Sequence, residues 1–218
     1  MNSFILSLLS GYSIAVPAII GLVRFRRIHK TYRPFVFLCC FGLVNEIISH
    51  FSARFFHNNN YNYNVYALIE AFLFIWLFTG WGHFSNKTRS YLFTLIFLVV
   101  IWVADNLIWH RVGDQNSLYF AVYSFCLVFF AINEINIIVM NSRGPLFRES
   151  RFLICLSMLF FYTYSAIISI FSLLELNFSE SFYSHIYRVL QAVNIFINLV
   201  YALAILWAPR RQRFILQF

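Results

Sequence analysis

Seven runs of mostly apolar residues, at roughly 3–23, 34–55, 65–83, 89–110, 117–140, 151–174 and 184–207, constrain this chain more than any other feature. Each is long enough to cross a hydrocarbon layer of about 30 Å as a helix rising about 1.5 Å per residue. Barrel strands are about ten residues long with alternating faces, whereas these runs are twice that length and apolar throughout, so helices are the expected spanning form. The sequence has 218 residues, 61% hydrophobic and only 11% charged, too apolar for an ordinary soluble domain. No linker or low-complexity tract interrupts the runs. The expectation is one all-α integral membrane domain over 1–218. The first run lacks a basic n-region and ends in "VRFRR" rather than in a small-residue cleavage site, so it reads as a span and not as a signal peptide.

Lysine and arginine set the expected orientation. "RFRRIHKTYR" holds five, "NKTR" two, "NSRGPLFRESR" three and "PRRQRF" three, all in alternate connections. The others carry only Arg54, Arg111 and Arg188. The positive-inside rule therefore places the N-terminus outside and the C-terminus in the cytoplasm, which suits a bacterial cytoplasmic membrane. It also accounts for the net charge of +8, so nucleic acid is not an expected partner, while anionic membrane lipid is. "HNNNYNYN", "RVGDQN" and "ELNFSES" on the opposite side are short and polar. Function is thus expected among the helices or at their rims.

Cys39, Cys40, Cys126 and Cys155 all fall inside apolar runs, without a C-x-x-C pair, and read as small apolar residues. Gly11, Ala15 and Ala18 form a small-residue stripe that permits close packing, in the bundle or between copies, and Pro17 should kink the inner half of its run. Displacing the chain by about 120 residues lays "NVYALIEAFLFIWLF" (64–78) over "HIYRVLQAVNIFINL" (185–199), with Tyr66 on Tyr187, Ala71 on Ala192 and Glu70 on Gln191. A 3+1+3 arrangement of parallel repeats would follow, with the fourth run as connector. In topology this resembles the SWEET sugar transporters and the rhodopsins. The seventh run has no lysine for a retinal Schiff base, and no proline-glutamine motif opens a helix. The Asn-Ile-Phe-Tyr bias, with "NE…H" and "YNVY…E", resembles small uncharacterised seven-helix membrane proteins of Bacteroidota, a resemblance that implies no mechanism.

Four acids, Glu46, Glu70, Asp105 and Glu134, lie within the runs. Each costs about 2.5–3.5 kcal/mol at a helix centre on insertion scales, so each needs a partner or a task. Rise per residue places Glu46 about 18 Å from the basic end of its run, with His50 a turn further, and brings Glu70 and Asp105 to the same half of the bilayer. Tyr66, one turn from Glu70, together with Tyr162, Gln191 and Asn194, falls at a similar depth. The i, i+4 pairs Glu46/His50, Tyr66/Glu70 and Asn194/Asn198 share helix faces. These residues are expected to wall an outward-facing polar pocket. A hydrogen-bonded core that fixes helix packing is the simpler alternative, favoured for Asn194 and Asn198. Glu134 falls near the basic rim, where Arg143 is a candidate partner.

A buried carboxylate and a histidine exchange protons near neutral pH, so proton coupling or pH sensing is open. The acids favour a small polar or cationic solute over an anion. A metal on Glu46, His50, Glu70 and Asp105, oxygen and nitrogen ligands suited to Mn, Fe or Zn, is a further alternative, although no H-x-x-x-H or H-E-x-x-H pattern fixes its geometry and no cofactor is expected. Two other classes remain: an intramembrane enzyme acting on a lipid-borne substrate, with Glu46 orienting His50 as a base, and a structural or partner subunit of a membrane complex or homo-oligomer.

Overall fold

The computed structural model describes residues 3–83, 88–109, 113, 117–142, 144–174 and 179–209. Its helices are α1 (Ser3–Tyr12), α2 (Ala15–Arg24), α3 (Arg33–Phe56), α4 (Asn60–Gly80), α5 (Thr88–Val103), α6 (Ser117–Asn141), α7 (Ser150–Leu173) and α8 (Glu180–Trp207). Seven segments are long and apolar enough to cross a membrane, with α1 and α2 together forming the first. The chain is an all-α, multi-pass helical bundle. Its surface suits lipid: Val23, Phe55, Phe93, Phe129 and Phe160 are all well exposed.

The first span breaks at Ser13–Ile14, one turn before Pro17 and not within the inner half. Proline has no N–H for the carbonyl four residues back, and its ring crowds that carbonyl. The Ser13 carbonyl instead accepts from Val16 N–H at 3.2 Å. The break is then held from α8: Asn194 Nδ2 donates to the Ser10 carbonyl and hydroxyl at 3.2 and 3.1 Å, and Asn198 Nδ2 donates to Ser13 Oγ at 2.7 Å. The small-residue stripe is used inside the bundle. Ala18 is fully buried, and a Cβ added at Gly21 would lie 2.8 Å from Val36.

Helix α4 begins at Asn60, five residues earlier than hydropathy alone suggests. Asparagine is a poor helix former, but here its side chains have fixed partners. Asn58 Oδ1 accepts from Asn60 N–H at 2.8 Å, and Asn62 Nδ2 donates to Asn45 Oδ1 and Ser49 Oγ, both at 2.8 Å. Asn58 and Asn60 each donate to the Gly113 carbonyl at 3.0 Å. This belt closes the α3–α4 hairpin, whose turn uses a left-handed His57 at φ 52°. At the opposite, basic end, His29 N–H donates to the Pro209 carbonyl at 2.9 Å and Arg24 to the Leu206 carbonyl.

Neighbouring helices close a ring in the order α1/α2, α3, α4, α6, α7, α8 and back to α1/α2. Helix α5 lies outside it, packed on α4 and α6. It runs on into a π-helical turn, Ala104–Trp109. The centre of the ring holds Cys39, Phe74, Tyr123, Met158 and Tyr162, all nearly inaccessible.

Candidate functional site

Glu70 sits on the face of α4 turned toward the middle of the ring. Tyr66, one turn earlier on that face, donates its hydroxyl to Glu70 Oε1 at 3.1 Å, and Tyr123 of α6 donates to Oε2 at 2.9 Å. The Tyr162 hydroxyl of α7 lies 3.5 Å from that of Tyr123. Three helices thus converge on one carboxylate. Hydrogen bonds to a charged acceptor are about twice as strong as neutral ones, so this cluster also ties α4, α6 and α7 together.

Glu70 borders a cavity of about 130 Å³. The opposite wall carries Glu46 of α3, with Asn45, Asn194 and Asn198 beside it. Two glycines make the room. A Cβ at Gly11 would lie 2.5 Å from Glu46 Oε2, and one at Gly42 would meet Ile14 and the Tyr66 hydroxyl. Unlike Glu70, Glu46 has no hydrogen-bond or ion-pair partner among the described residues. Among the described residues the lining contains two carboxylates and no lysine, arginine or histidine. The remaining walls are largely aromatic: Tyr63, Phe74, Phe120, Phe161 and Tyr201, besides Tyr66 and Tyr162.

Two further clefts flank this cavity. One, of about 220 Å³, shares Gly11 and Glu46 with it and is lined beyond them by Tyr12, Ser49, His50 and Asn59. The other, of about 250 Å³, shares Tyr63 and Phe120 with it and continues along Asn60, Ser117, Ser165 and Tyr187. Those two shared rings stack with centroids 4.5 Å apart at 20° and form the partition. Both clefts lead toward the asparagine belt. Glu46 therefore stands at one entrance and a stacked aromatic pair at the other.

The residues singled out from the sequence separate into groups. Glu46, Glu70, Tyr66, Tyr162 and Asn194 line the central cavity. His50 lines only the flanking cleft, where its ring lies 6.5 Å from that of Tyr12, and no hydrogen bond joins it to Glu46. Gln191 is not among the residues lining the cavity, and its buried Oε1 has no hydrogen-bond partner among the described residues. Asp105 is elsewhere. It is 0% exposed in the π-helical turn, and its Oδ2 accepts from Tyr119 N–H at 2.7 Å. Tyr119 lies in the first turn of α6, so the carboxylate takes an N–H that a helix start leaves without an intrahelical acceptor.

Glu134 is 2% exposed and pairs with Arg151 of α7 at 3.5 Å; Arg143 lies outside the described residues. Arg151 in turn stands 5.8 Å from the centre of the Trp81 ring. All four cysteines are free thiols. Among the described residues no three of His, Cys, Asp and Glu come together as metal ligands. Tyr123 was not singled out from the sequence, although Tyr119 and Tyr123 repeat at helical spacing in "SLYFAVYSF", with rings stacked 5.7 Å apart.

The fold and cavity define a class: a seven-span helical bundle with a central carboxylate–tyrosine chamber. No protein-family model matches the chain, and neither a curated protein nor a solved structure matches it.

Proposed function

We propose that the protein binds a small polar or cationic solute, or a proton, in this cavity, as a step in transport or sensing. One observation carries the reading: among the described residues Glu46 is a carboxylate without a partner, and it faces a chamber in whose lining the other charged residue is Glu70. An unpaired ionised group at membrane depth costs several kcal/mol unless it protonates or finds a counter-ion. Among the described residues no basic side chain lines the chamber, and His50 of the adjoining cleft makes no hydrogen bond to Glu46, which favours a counter-ion from outside the protein. Glu134 differs: it has Arg151 of the same chain 3.5 Å away as a counter-ion.

We read the N-terminus and the asparagine belt as external, on the positive-inside rule, with a bacterial cytoplasmic membrane as the proposed location. Both flanking clefts then admit solute from outside. The ring order α1/α2, α3, α4, α6, α7, α8 is compatible with two three-helix halves joined through α5, as a parallel repeat requires. Purified protein in proteoliposomes provides the test, with a proton or monovalent-cation gradient imposed and followed by pH- and potential-sensitive dyes. A transporter dissipates the gradient saturably. A sensor binds saturably in titration without flux. The absence of both saturable binding and flux refutes the proposal.

A further inference from the structure

Resting on that reading, we infer that the solute is a small methylated ammonium ion, tertiary or quaternary, rather than a metal ion or a highly hydrated primary amine. The inference comes from how the two carboxylates are dressed. Both oxygens of Glu70 already accept tyrosine hydroxyls, at 3.1 and 2.9 Å. About half of the acceptor sites of Glu70 are therefore already taken, while its charge remains. A metal ion needs several converging oxygen or nitrogen ligands, and a primary ammonium brings three N–H groups that each need an acceptor. Glu46 has no partner among the described residues; a tertiary ammonium meets it with its single N–H and a quaternary one by ion pairing alone.

The rest of the wall is suited to methyl groups. Phe74 meets Tyr162 edge-on at 5.7 Å and Phe161 meets Tyr162 edge-on at 5.2 Å, so these rings face different directions around the space. Tyr63, Phe120 and Tyr201 add further aromatic surface to the lining. Aromatic faces attract a cation by about 0.5–2 kcal/mol each, most when the charge is desolvated, and methylated ammonium loses less hydration on entering such a cage. Size agrees as well. The cavity, at about 130 Å³, is close to the roughly 150 Å³ of an engineered cavity that admits benzene, which suits a head group of a few carbons.

The experiment is isothermal titration of the full chain in nanodiscs with methylammonium, trimethylammonium, tetramethylammonium, tetrabutylammonium and sodium chlorides. Affinity should rise from methylammonium to the trimethyl and tetramethyl ions, with no binding of tetrabutylammonium and none of sodium in the same range. This ordering needs no variant and reads the cage directly. Glu46→Gln should weaken trimethylammonium binding about thirtyfold or more, as loss of a buried charge partner does. Phe161→Leu should weaken it about threefold to thirtyfold, as loss of one aromatic face does. Sodium or proton binding without any ammonium binding overturns the inference and leaves the cation reading standing. Equal affinity across the methylation series, or tight binding of tetrabutylammonium, also overturns it. Binding of none of these ions, with no proton uptake, overturns both.

Discussion

Gly11→Ala isolates the geometry at the cavity entrance. The added Cβ would stand 2.5 Å from Glu46 Oε2 and 3.2 Å from Cδ, where ordinary contact begins at 3.4 Å. The carboxylate must retreat by roughly 1 Å, which the end of a flexible side chain can do. At an effective dielectric constant near 20, moving an ion pair from about 4 to about 5 Å loses about 0.8 kcal/mol, or about fourfold in cation affinity. Stability should hardly change. Alanine gains about 0.5–1 kcal/mol over glycine in a helix, and a displaced Glu46 rotamer costs about 0.5–1.5 kcal/mol. In a Glu46→Ala background the steric term disappears, and Gly11→Ala should stabilise by its full helical gain. Thermal melts of the four proteins of this cycle, with titration of trimethylammonium into wild type and Gly11→Ala, measure both effects. Unchanged affinity, together with the same stability change in both backgrounds, would refute the contact between Gly11 and a working carboxylate.

Tyr123→Phe removes a hydroxyl donor from Glu70 and should cost about 1.5–3 kcal/mol, a loss that largely vanishes in a Glu70→Leu background when melts are compared. Asp105→Ala frees the Tyr119 N–H and should lower stability by about 1–2 kcal/mol while cation affinity stays at the wild-type value, measured on the same samples. For topology, single cysteines at Asn59 and Ser179, introduced after replacement of the four native ones, should react with an impermeant thiol reagent in intact cells; one at Arg27 should not. Labelling at Arg27 reverses the orientation and with it the side from which solute enters.

Seven spans were legible because membrane depth demands long apolar helices, and hydropathy reads length directly. The broken first span was legible in part: Pro17 signals a defect, but the defect falls one turn earlier, at the carbonyl the ring crowds, and Asn194 and Asn198 hold it there. The start of α4 was not legible. Asparagine weighs against helix locally, and only the partners of Asn60 and Asn62 across the hairpin offset that. Depth along a helix brought Glu46, Glu70, Tyr66, Tyr162 and Asn194 to one level, and they meet on one cavity. Depth carries no information on direction around the ring, however. Asp105 shares their level but hangs on a peripheral helix and caps α6, while His50 shares a face with Glu46 yet lines the neighbouring cleft. Tyr123 was hidden among aromatic residues whose usual task in such a chain is packing.

Whether the unpartnered carboxylate is there to meet a solute is decided most directly by comparing Glu46→Gln with His50→Asn. Both changes keep a polar group, and a glutamine is cheaper than an ionised glutamate at membrane depth, so both proteins should express and melt close to wild type. Saturable cation binding, or proton flux in proteoliposomes, should then be lost in Glu46→Gln and retained in His50→Asn, whose imidazole lines the entrance cleft and not the chamber. Full binding or flux in Glu46→Gln would make Glu46 a packing residue and contradict the account.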